Sequence, residues 1–241
     1  MTRVADAFGA SAERYERAEM SRYIPDIVLG LCAPEDDDRV LDLGCGPGTL
    51  TRILQPHVAS VVGADVTPEM LERYRMRTSG LPVMADAARP SFGDGSFTLV
   101  VCGSVFHHLP DPPGAIAEVA RVLRSGGRFL LIDMAGPEDP RRREIRDRVE
   151  RARDPSHGAI LAPSQVRAWL SEAGLEPVGE ERQAEDKRDA EWVELMGGDL
   201  ASVREMLRTH QADAAGFLAL RRDGDAYRFR RERRYYLAVK R

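Results

Sequence analysis

Three glycines in alternate positions follow a short apolar segment that carries one acid. Residues 40–43 are apolar apart from Asp42, and Gly44, Gly46 and Gly48 come next, ahead of a segment with a helical pattern. Because glycine lacks a Cβ, such a run lets the chain turn tightly, brings backbone amides close to a ligand and leaves the first N–H groups of the next helix free. The spacing therefore predicts a binding site for a cofactor that carries a nucleoside.

Two phosphate-binding motifs are excluded by the residues after the first glycine. A dinucleotide loop has the pattern Gly-x-Gly-x-x-Gly, but the sixth position is Thr49 counted from Gly44 and Thr51 counted from Gly46. A P-loop needs a Gly-Lys-Ser/Thr, which does not follow here. The carboxylate of Asp42 is a poor neighbour for a pyrophosphate and a good one for an ammonium. A cofactor with a positively charged amino-acid tail fits this site best.

Two further acids end the next two predicted strands. Asp65 closes the second strand, 23 residues after Asp42, where a carboxylate can accept hydrogen bonds from both hydroxyls of a ribose. Asp86 closes the third strand and can accept the exocyclic amine of adenine, with the Ala87 amide beside it. Taken singly, Asp65 could instead cap the following helix, and Asp86 could be a surface-turn carboxylate. Three acids at the ends of three successive strands are more specific than any one of them.

The segments that position these acids alternate between strand and helix patterns from about residue 39 to residue 134, which is typical of a parallel α/β sheet. The predicted strands of this core are 40–43, 60–65, 81–86, 97–102 and 128–134, with helices at 49–55, at 67–78 and from residue 111 to the glycines at 126 and 127. Outside the core, helices are predicted at 11–32, 141–153 and 164–173, and two last strands at 175–183 and 227–239, joined through helical material at 189–211. The ligand is expected across the C-terminal strand edge, at the switch point of the sheet.

A pair of histidines follows the fourth predicted strand. Either ring can take a proton from a phenol, a hydroxyl or an acidic carbon while that group reacts, although each could also simply pack or cap. His107 is the preferred site-facing member, because it follows the strand end by fewer residues than His108. Asp154 and His157 form a second polar cluster, for which an Asp-Pro-Ser turn is the competing interpretation.

These motifs resemble the class I S-adenosylmethionine-dependent methyltransferases, whose first motif is an acidic residue followed by Gly-x-Gly-x-Gly. Residues 107–111, His-His-Leu-Pro-Asp, and residues 118–129, Glu-Val-Ala-Arg-Val-Leu-Arg-Ser-Gly-Gly-Arg-Phe, are similar to the ubiquinone/menaquinone-biosynthesis group, methyltransferase type 11, and its small-molecule relatives. Residues 153–157, Arg-Asp-Pro-Ser-His, also recur in a bacterial branch of that group. The resemblance covers most of the chain and departs from the family pattern at Thr98, where aspartate is frequent, and at Ser125, where proline is usual.

The resemblance implies a Rossmann-like, doubly wound α/β fold, with a seven-stranded mixed sheet whose last strand is antiparallel, helices on both faces and a helical cap. It implies S-adenosylmethionine as cofactor and S-adenosylhomocysteine as product, with Asp42, Asp65 and Asp86 holding the methionyl amine, the ribose and the adenine. The other expected cofactor contacts are Gly44, Cys45, Gly46, Gly48, Val66, Met70, Ala87, Gly103, Ser104, Tyr15 and Tyr23. For the two tyrosines, packing in the core is the alternative. The catalytic candidates are His107 and His157.

The expected reaction is methyl transfer to an oxygen, nitrogen or carbon atom of a small molecule, such as a secondary metabolite or a quinone-like compound. Enzymes that methylate the adenine amine carry Asn/Asp-Pro-Pro-Tyr/Phe after the fourth strand, and those that methylate cytosine C5 have a nucleophilic cysteine after a proline; this chain has neither. Two alternatives stay open. One is a non-methylating enzyme or binding protein that retains the cofactor, and the other is a nicotinamide-dependent reductase, against which Asp42 and Thr49 argue.

Length and composition point to one globular unit. We expect a single methyltransferase domain over 1–241, with an N-terminal helical cap segment (1–35), a cofactor-binding core (36–135), a helical insertion that caps the substrate and contains the sixth strand (136–215), and a C-terminal strand region (216–241). Hydrophobic residues make up 43% and charged residues 31%, which is the balance of a soluble globular protein. The absence of an apolar run of about 18 residues and of an export signal predicts a cytoplasmic protein without a membrane partner.

The net charge and the cysteine spacing limit the kinds of partner and ligand that the sequence predicts. Cys32, Cys45 and Cys102 have no Cys-x-x-Cys spacing, so no disulfide frame and no metal site are expected. The net charge of -4 gives no overall attraction to nucleic acid, so a small-molecule substrate is the expected partner, and a homo-oligomer is compatible with the sequence. Residues 221–241 hold nine Lys or Arg against three acids, a pattern that suits an anionic substrate but more commonly marks solvated strand faces.

Overall fold

Eight strands form one sheet in the computed structural model, which describes residues 5–9 and 22–241. The strands are β1 (Arg39–Leu43), β2 (Ser60–Asp65), β3 (Leu81–Met84), β4 (Phe97–Gly103), β5 (Leu123–Met134), β6 (Leu175–Arg188), β7 (Arg221–Asp223) and β8 (Ala226–Lys240). Their order is β3-β2-β1-β4-β5-β8-β6, with β7 paired to β8. The first five strands are parallel, and β8 runs antiparallel between β5 and β6. The predicted doubly wound mixed sheet is confirmed.

Helices pack on both faces of this sheet. They are α1 (Pro25–Cys32), α2 (Thr49–Leu54), α3 (Pro68–Arg77), α4 (Pro112–Val122), α5 (Pro140–Arg153), α6 (Pro163–Glu172), α7 (Asp189–Glu194), α8 (Leu200–Thr209) and α9 (Gln211–Leu218). Single 3-10 turns follow α2 and β4, and residues 5–9 are also helical. In the part of the chain that the structure describes, no helix is long and apolar enough to cross a membrane.

The C-terminal half of the sheet differs most from the sequence prediction. The sequence predicts seven strands, and β7 is the additional one, formed by a hairpin whose turn contains Gly224 at φ +63°. β6 extends to Arg188 rather than to residue 183, because it pairs with β8 as far as the Arg188–Arg228 pair. Charged residues lie on both faces of β6, so its second half contains no apolar run from which a strand could be predicted.

Smaller differences occur in the first half of the chain. β3 ends at Met84 rather than at residue 86, and β5 begins at Leu123 rather than at residue 128, because Leu123 already pairs with Phe97. The predicted helix 11–32 is seen from Pro25 onward, since residues 10–21 lie outside the described part of the chain.

The core lies in two apolar layers, one on each face of the sheet. Val100 and Leu131 belong to the layer shared with α4 and α6, whereas Leu99 and Leu130 belong to the layer shared with α1 and α2. Consecutive residues at 97–102 of β4 and 129–134 of β5 therefore face opposite layers and are all buried, which explains why these stretches read as apolar runs. A third cluster, which includes Val149, joins α5, α7, α8 and β8 and gives the insertion a core of its own.

Tyr74 of α3 fixes the packing beneath the glycine turn. Its side chain is fully buried, and its hydroxyl lies 3.2 Å from Thr51 Oγ1 at the start of α2. The ring lies against Gly63 of β2, where a Cβ would come within 2.3 Å of Tyr74 Cζ. A glycine at this position is therefore required by the close approach of the ring.

Gly63→Ala is expected to destabilise the protein by about 1–3 kcal/mol, because the added methyl overlaps a buried ring that has no space to move. The matched control is Gly30→Ala in α1: Gly30 is exposed, a Cβ there meets nothing within 4 Å, and the change should stabilise by about 0.5–1 kcal/mol. Denaturant unfolding followed by circular dichroism measures both. Equal effects of the two substitutions would contradict the packing of Tyr74 against Gly63.

Candidate active site

The chain turns sharply between β1 and α2, and glycine permits that turn. Gly44 has φ +70°, and a Cβ there would come within 2.3 Å of a Val105 methyl. Gly46 has φ +51° and open space where a Cβ would stand, so a ligand can approach its backbone. Gly48, at φ +89°, is the N-cap residue of α2. The turn therefore presents a helix N-terminus and open backbone at the C-terminal edge of the sheet.

Two of the three predicted acids anchor this turn. Asp42 Oδ2 accepts hydrogen bonds from Thr51 N at 3.0 Å and Thr51 Oγ1 at 2.7 Å, and the Asp42 side chain is almost fully buried. Asp65 Oδ2 accepts from Gly46 N at 2.9 Å, and Oδ1 accepts from Thr67 N at 2.8 Å. Burial raises the pKa of Asp65 despite these hydrogen bonds. Asp65 thus holds the N–H of Thr67, the residue before α3, and does not cap an N–H within the helix; a carboxylate that accepts two hydrogen bonds can still accept others from a ligand.

The third acid is less constrained. Asp86 Oδ1 accepts a hydrogen bond from Ala88 N at 2.9 Å, and its other oxygen has no hydrogen-bond donor among the described residues. All three acids line a single cavity, which we call the first cavity. The strand ends therefore bring together side chains that are distant in sequence, since Asp42 and Asp86 are 44 residues apart.

Most of the predicted cofactor contacts line the first cavity. They are Asp42, Gly44, Cys45, Gly46, Asp65, Val66, Met70, Asp86, Ala87, Gly103, Ser104 and Tyr23. Gly48 is an exception, because it faces Tyr74 and Thr78 under the turn, and Tyr15 lies outside the described residues. Lining residues that the sequence prediction omitted are Phe8, Thr49, Leu50, Thr67, Ala85, Ala88, Val105, His108, Leu109 and Pro110.

The composition of the first cavity fits an S-adenosylmethionine molecule. Three carboxylates suit its ammonium, its ribose hydroxyls and its adenine amine, and apolar side chains such as Met70 and Leu109 suit the adenine ring. Among the described residues that line the cavity, none is Lys or Arg, so no side chain there neutralises a phosphate. The cavity therefore agrees with the exclusion of phosphate-bearing cofactors from the motif.

Ser104 separates the first cavity from a second one. It adopts φ +61°, which is uncommon for a residue other than glycine, and its side chain accepts a hydrogen bond from the Tyr23 hydroxyl at 3.3 Å. Phe8, Ser104 and His108 line both cavities, and the second measures about 790 Å³. Such strained backbone is common where a functional site needs an unusual geometry. A molecule in the second cavity would thus lie next to a cofactor in the first.

His107 faces the second cavity and pairs with Asp133 of β5. The distance from His107 Nδ1 to Asp133 Oδ1 is 2.6 Å, and His107 N donates to Asp133 Oδ2 at 3.2 Å. Burial alone would raise the pKa of Asp133, but the charge of His107 and its hydrogen bonds lower that pKa below its usual value. The carboxylate therefore stays ionised and holds the Nδ1 proton, which leaves His107 Nε2 as the basic nitrogen.

His108 has a different environment from its neighbour. Its Nδ1 lies 3.0 Å from the carbonyl oxygen of Ser156, so Nδ1 carries a proton in the neutral ring. Burial, followed by the charge of His107, lowers the pKa of His108 to about 3. His108 is therefore a neutral side chain in the wall between the two cavities, so it faces the site as well as His107, the preferred member of the pair.

His157 does not line either cavity. Its Nε2 lies 2.8 Å from Asp147 Oδ1 of α5, and its side chain is almost fully buried. Asp154 lines the second cavity, but its Oδ1 accepts hydrogen bonds from Ser156 N and Ser156 Oγ rather than from His157. The His157 ring centre lies 5.7 Å from that of His107 while Asp147 holds its Nε2, so the catalytic role of His157 stays a prediction that the cavity lining does not support.

A buried ionic cluster supports the wall of the second cavity. Glu150 is fully buried, and its carboxylate accepts hydrogen bonds from Arg146 Nε and Nη2 at 2.9 and 2.6 Å and from Arg153 Nη1 at 3.4 Å. Burial alone would raise the pKa of Glu150, but the arginines, including Arg231, hold it far below its usual value. The ring of Trp192 lies 4.9 Å from the Arg153 guanidinium carbon.

The sequence prediction missed Asp133, Glu150 and Trp192 as parts of the site. Asp133 carries the clearest signal, since it is the single charged residue in the otherwise apolar stretch 129–134. A charged side chain in a buried strand requires a partner, and that requirement could have directed attention to His107. Glu150 gives no comparable signal, because it lies in a helix rich in charged residues.

Comparison with known proteins identifies a family for this chain. Residues 41–131 match the methyltransferase domain family. The uncharacterized methyltransferase YcgJ of Bacillus subtilis is 34% identical over 172 residues, which cover 68% of this chain and 68% of that protein. The demethylmenaquinone methyltransferase of Clavibacter sepedonicus is 32% identical over 197 residues, 79% of this chain and 74% of that protein. The crystal structure of YcgJ superposes with a TM-score of 0.84 at 26% identity, covering 90% of this chain and 97% of that chain.

These similarities agree with the fold and with the first cavity. The chain belongs to the class I S-adenosylmethionine-dependent methyltransferases. The resemblance inferred from the Asp42 motif is thereby confirmed, and a nicotinamide-dependent reductase loses its support.

Glu150→Gln is expected to destabilise the protein by about 3–5 kcal/mol at pH 7, because it leaves buried arginines without a carboxylate. Since the folded-state pKa of Glu150 is depressed, its contribution is present above the ordinary value of 4.5 and is lost as the pH falls toward the folded-state value. The wild-type protein should therefore lose stability more steeply than the variant below pH 4.5.

Denaturant unfolding at pH 7, 4 and 3 measures this difference. The matched control is Glu144→Gln, which changes an exposed residue of the same helix and should alter stability by less than about 0.5 kcal/mol. Parallel pH profiles for the wild-type protein and Glu150→Gln would rule out the depressed pKa.

Proposed function

We propose that this protein transfers a methyl group from S-adenosylmethionine to a small-molecule acceptor that binds in the second cavity. The observation that carries the proposal is the meeting of two cavities at Ser104 and His108. One is lined by three strand-end acids and the other by a histidine paired with a buried aspartate. Family membership supports the methyl donor, and the two adjoining cavities support a separate site for the acceptor.

The first cavity would hold the cofactor through the strand-end acids. Asp42 suits the methionyl ammonium, Asp65 the ribose hydroxyls and Asp86 the adenine amine, in the order in which their strands lie across the sheet. The bound cofactor supplies a methyl group already activated by the sulfonium. The protein therefore contributes mainly alignment and exclusion of water.

His107 would act as the base for an acceptor that must lose a proton. The acceptor atom forms a bond to the methyl carbon, the carbon–sulfur bond breaks, and its electron pair stays on sulfur in neutral S-adenosylhomocysteine. The acceptor proton passes to His107 Nε2, while Asp133 stabilises the positive ring through Nδ1. Asp133 is a positioning residue here, because it acts on the acceptor only through His107.

The acceptor would be an oxygen nucleophile on a small cyclic molecule, which is a finer claim than family membership. A phenol or hydroxyl loses a proton when it is methylated, and His107 would accept that proton. The similarity to a demethylmenaquinone methyltransferase supports a quinone-like ring as the first compound class to test. The large second cavity, about 790 Å³, accommodates such a ring.

Asp65→Asn is expected to weaken binding of S-adenosylhomocysteine roughly ten- to a hundredfold, because hydrogen bonds to a charged group contribute about 1.5–3 kcal/mol. Isothermal titration calorimetry measures the dissociation constant. The matched control is Asp94→Asn, an exposed residue that pairs with Arg121 at the opposite end of β4 and should not change binding. Unchanged binding by Asp65→Asn, or tighter binding of NAD than of S-adenosylhomocysteine, would refute the proposed cofactor site.

His107→Ala is expected to lower turnover by about 10²- to 10⁴-fold while leaving cofactor binding intact, since it removes the base. The assay is transfer of a labelled methyl group to a panel of phenols, hydroquinones and amines, which also identifies the acceptor. His57→Ala, in the exposed 3-10 turn before β2, is the control and should keep full activity. Full turnover by His107→Ala would exclude the base role, and conversion of an acceptor without consumption of the label would exclude methyl transfer.

A further inference from the structure

Three buried N–H groups in the second cavity have no hydrogen-bond acceptor. They are Trp192 Nε1, Arg231 Nε and Arg233 Nε, and among the described residues they are the buried side-chain polar atoms without any partner. All three side chains line the second cavity, and each is at least nine-tenths buried. Buried donors are rarely left unpaired, so three in one cavity indicate an acceptor group that a ligand would supply.

Arg231 is the least compensated of these side chains. Its Nη2 donates to the Met134 sulfur, which is a weak acceptor, and it forms no ion pair with a described residue. Burial lowers the pKa of Arg231 to about 9; the attraction of Glu150 opposes this shift and the repulsion from Arg153, Arg146 and Arg233 adds to it, so Arg231 remains charged at pH 7. An anion that entered the cavity would meet a cation with unused donors.

The acids around the cavity are engaged by other groups or lie at its exposed rim. Asp186, Glu191 and Glu194 are exposed, and Asp186 pairs with Arg230 on the outer face of β8. The buried carboxylates and the half-buried Glu185 have donors of their own: Glu150 has Arg146 and Arg153, Glu185 has Arg233 and Lys187, Asp154 has Ser156, and Asp133 has His107. Glu150 attracts Arg231 electrostatically, but among the described residues none of these acids accepts a hydrogen bond from Arg231.

The surroundings of Arg231 also suit the rest of an organic molecule. Its guanidinium carbon lies 5.7 Å from the centre of the Trp192 ring, and Phe8, Met134 and Met196 line the same cavity. An aromatic and thioether wall beside a guanidinium whose Nε has no acceptor matches a ring that carries an oxyanion. The planar fork of arginine suits such a group, because it can donate two parallel hydrogen bonds.

We propose that the acceptor is an organic anion whose carboxylate or phosphate binds Arg231 and Trp192 Nε1 in the second cavity while its reactive atom lies at His107. This inference rests on the proposed function and adds the substrate class. The arginines of β8 thus divide by face: Arg231 and Arg233 point inward to the ligand, whereas Arg228 and Arg230 form exposed ion pairs.

The first test is the stability of variants without any ligand. Arg231→Met should lower the unfolding temperature much less than Arg153→Met, because Arg231 makes no hydrogen bond to a carboxylate among the described residues and only feels the attraction of Glu150. Arg153→Met, which breaks a hydrogen bond to Glu150, should lower the unfolding temperature by roughly 6 °C or more. A comparable loss in Arg231→Met would overturn the proposal, because Arg231 would then be a structural partner of Glu150.

The second test is protection by anions in the presence of S-adenosylhomocysteine. Benzoate or phenyl phosphate should raise the unfolding temperature of the wild-type protein by about 2 °C or more above neutral benzamide at matched ionic strength. Arg231→Met should lose this protection, Arg231→Lys and Trp192→Phe should keep part of it, and Arg230→Met should keep all of it. Protection by benzoate alone assigns a carboxylate, and protection by phenyl phosphate alone assigns a phosphate.

Two outcomes of the second test would overturn the proposal: equal protection of Arg231→Met and the wild-type protein, or no protection of the wild-type protein by either anion. Calorimetry with S-adenosylhomocysteine separates this failure from failure of the proposed function. Failure of the wild-type protein to bind S-adenosylhomocysteine would refute methyl transfer itself. Normal cofactor binding with labelled transfer to neutral acceptors alone would refute only the anionic substrate.

Discussion

The hydrogen bonds that Thr51 donates to Asp42 join the two elements on which the whole site depends. Asp42 lies near the end of β1 and Thr51 lies in the first turn of α2, so the shared carboxylate fixes the path of the glycine turn between them. The Tyr74 hydroxyl extends this network to α3, whose ring packs against Gly63 of β2. Asp42, which the sequence motif predicts as the partner of an ammonium, is therefore also a structural residue. Its position is determined before any ligand arrives, which is what preorganisation of a charged site requires.

The parallel core and the first cavity could be predicted from the sequence because their signals are local. A strand buried on both faces reads as a continuous apolar run, as in β4, and each parallel strand ends at the same edge of the sheet. Asp42, Asp65 and Asp86 were therefore assigned to one site from their places at strand ends alone. Gly48 shows the limit of this reasoning, because the same motif that predicts a ligand contact also supplies the N-cap residue of the helix.

The second cavity could not be predicted, because its wall is assembled from distant parts of the chain. Asp133 meets His107 across 26 positions, and Arg231 contacts Met134 across 97. Helical and strand periodicity indicate which face of an element is buried, but they do not specify which polar groups meet across the interface. The arginines of β8 illustrate this: composition identifies a basic segment, and only the pairing of β8 with β5 and β6 separates its inward members from its solvated ones.

The two cavities differ in the charged side chains that line them. The first is lined by carboxylates without a described lysine or arginine, whereas both acids and bases line the second, where Arg231 has an Nε without an acceptor. A sulfonium cofactor would be attracted to the first cavity, and an anionic acceptor would find unused buried donors on the other side of Ser104, so these contacts favour one arrangement of the two molecules over the reverse. Unpaired buried donors cost about 1–3 kcal/mol each, and a protein of ordinary stability retains only about 5–15 kcal/mol. The packed core of the insertion around Val149 and Leu207 helps to offset that cost. The fold can therefore tolerate buried donors without acceptors where ligand binding requires them.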